Sequence, residues 1–276
     1  MADPRARPLG SKTLLTVSDG TLRIGPERLF KGVPLAQSAP LLHSRDESGQ
    51  ALLPMRSLVI RGSGRLIVVD TGLGLHSPLR PAPGTLLLEL AAAGIRPDEV
   101  TDVIISHAHG DHIGWATIEE ERGRRTTFPN ARYWMSETEF RHWTEPAQLN
   151  AAAAVRVQLP VIAASGQLEL VEGEAEIAPG IRLVPTPGHT PGHCSVLITD
   201  GADAALFTGD ISHHPLHFEK LNWNSEFDTD PVLAYRTRVR VLEQAAADRL
   251  LLISYHHPTP FGQAVYNGAA FRWQPV

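Results

Sequence analysis

The chain has 276 residues, 42% hydrophobic and 20% charged, enough for one large α/β domain or two small ones with a sizeable core. Its net charge of −5, with both signs interspersed, gives no nucleic-acid footprint and favours small-molecule chemistry. The single cysteine, Cys194, excludes an intramolecular disulfide and leaves any metal site to nitrogen and oxygen ligands. No run approaches the ~18 apolar residues of a membrane helix. Residues 1–7 are not followed by the apolar stretch of a secretory leader, so the expectation is a cytoplasmic protein without a membrane partner.

In chain order, residues 1–12 read as a loose tail, and 14–17 and 22–24 as two short strands. Residues 27–49 carry prolines without clear periodicity and read as a long loop or lid. Two apolar runs around Gly62-Ser63-Gly64 predict a hairpin ending in Asp70, placed to orient a metal-bound histidine. Residues 85–93 followed by Gly94 predict a helix with a glycine stop. Val103 to Ile105 read as a buried strand, and a second helix is expected from Asp111 to Ile118.

Ser136-Glu137-Thr138-Glu139 reads as a capping box opening a helical region that runs on to residue 164. Trp134 and Trp143 read as core. From Gln167 the pattern returns to strands, at 168–171, 181–184, 195–199, 204–207 and 250–253. Between the last two, 231–247 predicts a one-faced helix with Pro231 in its first turn. No linker separates domains, so residues 1–276 read as one unit: 1–54 as strands and lid, 55–276 as the core with the metal site. The layout fits two packed sheets with helices outside.

The chemistry gathers in loops that follow apolar strands. Ser106-His107-Ala108-His109-Gly110-Asp111-His112 packs three imidazoles and a carboxylate into one turn. On extended backbone His107 and His109 point the same way, while Asp111 and His112 lie past the bend and aim at a neighbouring point. Imidazole with carboxylate suits zinc, manganese, cobalt or iron(II), and two ligand pairs suit two ions.

His189 sits in Pro185-Thr186-Pro187-Gly188-His189-Thr190-Pro191-Gly192, where prolines and glycines fix the backbone. Asp210 follows Thr208-Gly209 at a strand end, and His256 and His257 follow Ser254-Tyr255. The expected ligand set is His107, His109 and His189 for one ion, Asp111, His112 and His256 for the other, and Asp210 between them. Two ions ~3.5–4 Å apart would hold a bridging water as hydroxide near neutral pH. His193 reads as packing or support, and Cys194 has no cationic neighbour that would make it a nucleophile.

This motif, with Asp70 upstream and His189, Asp210 and His256 downstream, resembles the metallo-β-lactamase superfamily from about residue 55 to the end. The tail from His256 to Gly262 and from Phe271 to Val276 resembles the branch of N-acyl homoserine lactonases and methyl parathion hydrolase-like enzymes. The resemblance implies an αββα sandwich of α/β class, a dinuclear centre at one edge of its sheets, His256 as a ligand and His257 as a non-ligand.

The function expected is a two-metal hydrolase, most simply with zinc, whose bridging hydroxide attacks a carboxylic ester or lactone, with Asp111 and Asp210 as catalytic carboxylates. The alternative is an organophosphate triesterase or phosphodiesterase on the same metals; a β-lactamase or a non-catalytic metal-binding protein stands behind both. Tyr255, next to His256, is expected to face away. His213 and His214 read equally well as lining the pocket or as part of a surface loop, while specificity is expected in residues 27–49 and 212–227. A homodimer through residues 26–53 completes the expectations.

Overall fold

The computed structural model describes residues 5–75, 82–121 and 123–276. Along the chain its strands are β1 (Ala6–Leu9), β2 (Lys12–Ile24), β3 (Ala51–Gly62), β4 (Arg65–Val69), β5 (Asp102–Ile104), β6 (Thr117–Glu120), β7 (Gly123–Thr126) and β8 (Arg132–Ser136). They continue as β9 (Leu168–Val171), β10 (Ala175–Ala178), β11 (Ile181–Pro185), β12 (Cys194–Asp200), β13 (Asp203–Phe207), β14 (Leu251–Ile253), β15 (Phe261–Tyr266) and β16 (Phe271–Pro275). One seven-stranded sheet runs β1-β2-β3-β4-β5-β8-β9, a second runs β10 to β16 in sequence order, and β6-β7 is a separate ribbon.

The alternation within each hairpin decides the layering. On β3 and β4, Leu58, Ile60, Ile67 and Val69 point into a core shared with Leu183, Val196, Ile198, Phe207 and Ile253 of the second sheet. Val59 and Val68 point the other way, onto Leu86 and Leu90 of the helix Leu86–Ala92 and Leu159 and Ile162 of Ala153–Ala164. Leu206 and Leu252 carry Val241 and Leu242 of the helix Pro231–Ala247 on the far side of the second sheet. Helix, sheet, sheet, helix is therefore the order of layers, the αββα sandwich of mixed α/β class.

Several local expectations change. Residues 5–12 hold an edge strand, since Ala6–Leu9 pairs with β2; Met1 to Pro4 lie outside the described residues. The two short strands expected at 14–17 and 22–24 are one strand with a bulge between Ser18 and Gly20. The bulge turns the Asp19 carboxylate inward, where it accepts hydrogen bonds from Leu73 N (2.6 Å), Leu86 N (2.7 Å) and Trp115 Nε1 (2.9 Å).

The helix expected from Asp111 to Ile118 is only the turn Gly110–Ile113. Thr117 already pairs with Thr126, and its N–H and hydroxyl donate to Gln158 Oε1. Residues 27–49 form short helical turns, Pro26–Leu29, Leu35–Ser38 and Ala39–Leu41, packed on the 222–227 segment through Lys31 N to Asn224 O and Glu226 N to Arg28 O. The helix expected from 136 to 164 is broken into Glu137–Thr144, Pro146–Ala151 and Ala153–Ala164. Among the described residues no helix is long and apolar enough to cross a membrane.

Candidate metal centre

Every candidate ligand follows the C-terminal end of a strand. The 107–112 segment follows β5, His189 follows β11, Asp210 follows β13 and His256 follows β14, while Asp70 stands at the end of β4. Parallel pairing of β4 with β5 and of β13 with β14 carries these ends to the same edge of each sheet. Gly114 lets two of the loops touch, since a Cβ there would stand 2.0 Å from the Leu73 carbonyl carbon. Trp115 N then donates to Thr71 O, and Gly114 N to Gly72 O.

The geometry gathers all seven sequence candidates, His107, His109, Asp111, His112, His189, Asp210 and His256, and adds His213. Ligand-capable atoms of His107, His109 and His189 lie within 4.8 Å of one another, as do those of Asp111, His112 and His256, and those of His107, His112 and Asp210. Asp210 Oδ2 is the common neighbour. It lies 3.3 Å from Nε2 of His112, His213 and His256, 3.6 Å from that of His189 and 3.8 Å from that of His107.

The outer nitrogens settle which lone pairs face inward. His112 Nδ1 is 2.7 Å from Asp70 Oδ2, His189 Nδ1 is 3.0 Å from Asp228 Oδ1 and His256 Nδ1 is 2.9 Å from Pro54 O, acceptors that require a proton on each Nδ1. His107 Nδ1 lies 3.1 Å from Ser106 Oγ, whose own proton goes to Asp70 Oδ2 at 2.7 Å. Four Nε2 lone pairs are thereby aimed at one small volume, with His109 presenting Nδ1 at 3.1 Å from His107 Nε2 and 2.9 Å from His189 Nε2. Among the described residues, buried His112 Nε2 and Asp210 Oδ1 have no hydrogen-bond partner. Acceptors converging on acceptors, with carboxylate charge among them, fit divalent cations and little else.

Asp70 does what its position suggested. It adopts a left-handed backbone (φ 60°), which aspartate tolerates, and accepts from Ser106 N, Ser106 Oγ and His112 Nδ1 together. His193 is a support as well: its Nε2 accepts from Asp210 N at 2.9 Å. His257 turns away to Ser212 Oγ. Tyr255 corrects an expectation. It lies beyond β14, where strand alternation no longer applies, and its ring stacks on His112 at 4.0 Å while its hydroxyl donates to Asp111 O.

The cavity above these groups is walled by Leu22, Ile24, Leu53, Phe227 and His213. Its apolar side thus comes largely from β2 and β3, with Phe227 alone from the two segments in which specificity was expected. Two supports escaped the sequence reading, Asp228 behind His189 and Glu139 between the ligand loops. Asp228 carries no local signal. Glu139 carried a misleading one, because Ser136 makes no side-chain cap and the carboxylate is buried instead.

Burial pushes the imidazoles of His107, His109, His217 and His257 well below their usual value, His193 to about 3 and His214 to about 4. At His112 and His213 burial is again the largest single effect, but the charge and hydrogen bond of Asp210, joined by Asp70 and Asp111 at His112 and by Asp228 at His213, together shift both upward. A depressed histidine lets the unfolded chain take its proton first, so its stability contribution is lost as pH falls below ~6.5; a raised one gains as pH falls towards ~6.5 and adds nothing further below it. Six against two gives a net loss for the metal-free protein, about 2 kcal/mol at pH 5 for each uncompensated histidine. Its melting temperature is expected to drop from pH 7.5 to pH 5, and a rise would contradict this balance.

Residues 54–259 match the metallo-beta-lactamase superfamily. The chain belongs to that superfamily. Among curated members it is similar to an N-acyl homoserine lactonase of a Bacillus species, 30% identical over 152 residues, which are 55% of this chain and 54% of that protein. The N-acyl homoserine lactonase AiiA of Bacillus thuringiensis subsp. kurstaki is 29% identical over 60% of each chain. The chain thus spans a little over half the length of these lactonases. A probable metallo-hydrolase of Mycobacterium tuberculosis is 28% identical over 216 residues, 70% of this chain and 67% of that one. In fold, the chain is similar to AidC, a dizinc quorum-quenching lactonase, with a TM-score of 0.87 at 24% identity and 99% coverage of both chains. The hydrolase AbOPH superposes at 0.86 and 24% identity over 98% of this chain and 96% of that one.

Proposed function

We propose that this member of the superfamily is a dinuclear metal-dependent hydrolase of carboxylic esters, lactones foremost, built from residues 1–276 as one unit. The observation that carries the reading is the inward convergence of four Nε2 lone pairs on the Asp210 carboxylate, each set by an acceptor behind its Nδ1 or by Ser106. His107, His109 and His189 would hold one divalent ion, Asp111, His112 and His256 the other, and Asp210 both; zinc suits the donors, with manganese, cobalt and iron(II) also compatible. Such ions, when bound, activate water near neutral pH and polarise the carbonyl under attack.

The rest falls to the chain. Leu22, Ile24, Leu53 and Phe227 give the cavity an apolar wall suited to an acyl or alkyl group. Asp111 stands at the mouth, its Oδ2 3.5 Å from His256 Nε2, placed to carry a proton to the leaving alkoxide. Tyr255, committed to the Asp111 carbonyl and pushed well above its ordinary pKa by burial, holds the loop rather than the substrate. His213 presents Nε2 beside Asp210 on the cavity wall, within reach of a substrate oxygen.

The partner implied is a small molecule. The test is turnover of lactones, aryl esters and aryl phosphotriesters by the protein reconstituted with zinc. Lactone and ester hydrolysis that disappears on chelation and returns with zinc is expected. Full activity without metal would end the proposal, and phosphotriester turnover far above the other two would replace its substrate class. The similarity to proteins named N-acyl homoserine lactonase supports the lactone choice.

A further inference from the structure

The segment that follows the short turn at Leu216–Glu219 gives the cavity Phe227, and a second of its side chains reaches His189 from behind. Asp228 is buried, with Oδ1 3.0 Å from His189 Nδ1 and Oδ2 accepting from Ser225 N at 3.0 Å. Behind it lies Arg238, fully buried on the helix Pro231–Ala247, its Nη2 3.8 Å from Asp228 Oδ2. Arg238 is itself pinned: Nε donates to Ile211 O, and Nη1 to Leu221 O and Trp223 O.

The backbone around His189 is bolted to the same region. Thr229 N donates to His189 O, Asp230 N to Gly188 O and Thr237 Oγ1 to Pro187 O. Gly188, at φ 132°, lies against the start of this helix, where a Cβ would meet Ala234 N at 2.2 Å. Position is therefore fixed by the main chain. Which ring nitrogen carries the proton is not, and Asp228 is the side chain that meets Nδ1.

We propose that Asp228, held in place by Ser225 and Arg238, is a positioning residue that keeps the proton of His189 on Nδ1. It thereby determines the affinity of the ion at His107, His109 and His189, leaving the ion at Asp111, His112 and His256 alone. The inference rests on the two-ion reading above. A carboxylate accepts at both oxygens, so it serves Ser225 N–H and His189 Nδ1–H at once. An amide cannot. In Asp228→Asn the carbonyl oxygen satisfies one of the two donors, and the NH2 group either opposes the other or favours the tautomer with its proton on Nε2, aimed into the site. Losing such an outer partner weakens metal binding by about 10- to 100-fold.

Zinc titration of the metal-free full chain against a competing chelator reads both ions. The unsubstituted protein is expected to bind two, and Asp228→Asn and Asp228→Ala to bind one as before and the other about 10- to 100-fold more weakly. The weakened site should bring a changed cobalt(II) absorption spectrum, and the metal-free melting temperature shows whether the fold is kept. Two wild-type affinities in a folded variant would overturn the proposal, and so would equal weakening of both ions with a lowered melting temperature, the mark of a merely structural role. If neither variant folds, nitrogen-15 histidine spectra of the unsubstituted metal-free protein decide: His189 protonated on Nδ1 supports the assignment and a proton on Nε2 ends it. Fewer than two ions in the unsubstituted protein would instead remove the two-ion reading and this inference with it.

Discussion

Asp210→Asn is expected to reduce ester and lactone turnover by at least ~10³-fold, a loss of about 4 kcal/mol in transition-state stabilisation. The reason is the crowding around one atom: five imidazole Nε2 atoms lie 3.3 to 3.8 Å from Asp210 Oδ2. The carboxylate would bring its charge to both ions, and among the described residues its Oδ1 has no hydrogen-bond partner to divert it. An asparagine of the same shape removes the charge and offers an NH2 group to lone pairs that need a cation. Elemental analysis of the purified variant is expected to give fewer than two ions per chain. The fold should survive, because the backbone N–H of residue 210 still donates to His193 Nε2. His109→Ala is expected to abolish turnover as well, through loss of one ligand. Wild-type rates for Asp210→Asn, measured with metal content alongside, would show that the carboxylate does not join the sites.

Asp210 and the 107–112 segment were legible because their chemistry is local. Four ligand-capable side chains fall within six positions around the bend at Gly110, although β5 ends at Ile104 and the alternation expected of His107 and His109 does not extend to them, and the carboxylate after an apolar strand is a weaker local signal. The sandwich was legible for a related reason, since runs such as 66–69 and 195–199 are apolar on both faces, as strands covered on both sides must be. What stayed hidden depends on residues distant in sequence. Asp19, a bulge residue on β2, falls between the two short strands read at 14–17 and 22–24 and carries no signal of its own. The edge strand β1 has no periodicity of its own and exists because β2 continues past it. Tyr255 was misjudged by extending strand geometry one turn too far. The apolar wall from Leu22, Ile24 and Leu53 could not be separated from ordinary core positions until both sheets were in place. Supporting carboxylates are hard to read for a general reason: one acidic residue in a polar stretch looks the same whether it faces water or a buried cluster of N–H groups.

Glu139 is the sharpest case, and its substitution should have the largest effect on stability. Its Oε1 accepts from Ala108 N (2.9 Å) and Trp143 Nε1 (2.6 Å), and its Oε2 from Thr190 Oγ1 (2.7 Å) and Gly192 N (3.0 Å). Ala108 lies between the candidate ligands His107 and His109 of the first sheet, and Thr190 follows His189 of the second, so one side chain fastens the loops of both sheets to each other. Trp143, held by the same carboxylate, packs edge-on against His109. In Glu139→Ala four buried donors lose their acceptor at ~1–3 kcal/mol each before relaxation, and a net loss of about 4–6 kcal/mol is expected in urea unfolding. Glu139→Gln separates charge and donor count from volume. Its amide oxygen serves one loop while its NH2 opposes an N–H of the other, for an expected loss of about 2–4 kcal/mol. That loosening should reach the chemistry too, because His109 and His189 are held 2.9 Å apart by loops this carboxylate ties together. A fall of about 10- to 100-fold in kcat/KM is expected for Glu139→Gln under conditions where it remains folded. A variant within ~0.5 kcal/mol of the unsubstituted protein would mean that the two loops hold their places without the carboxylate, and that the sheets alone set the distance between the ligands.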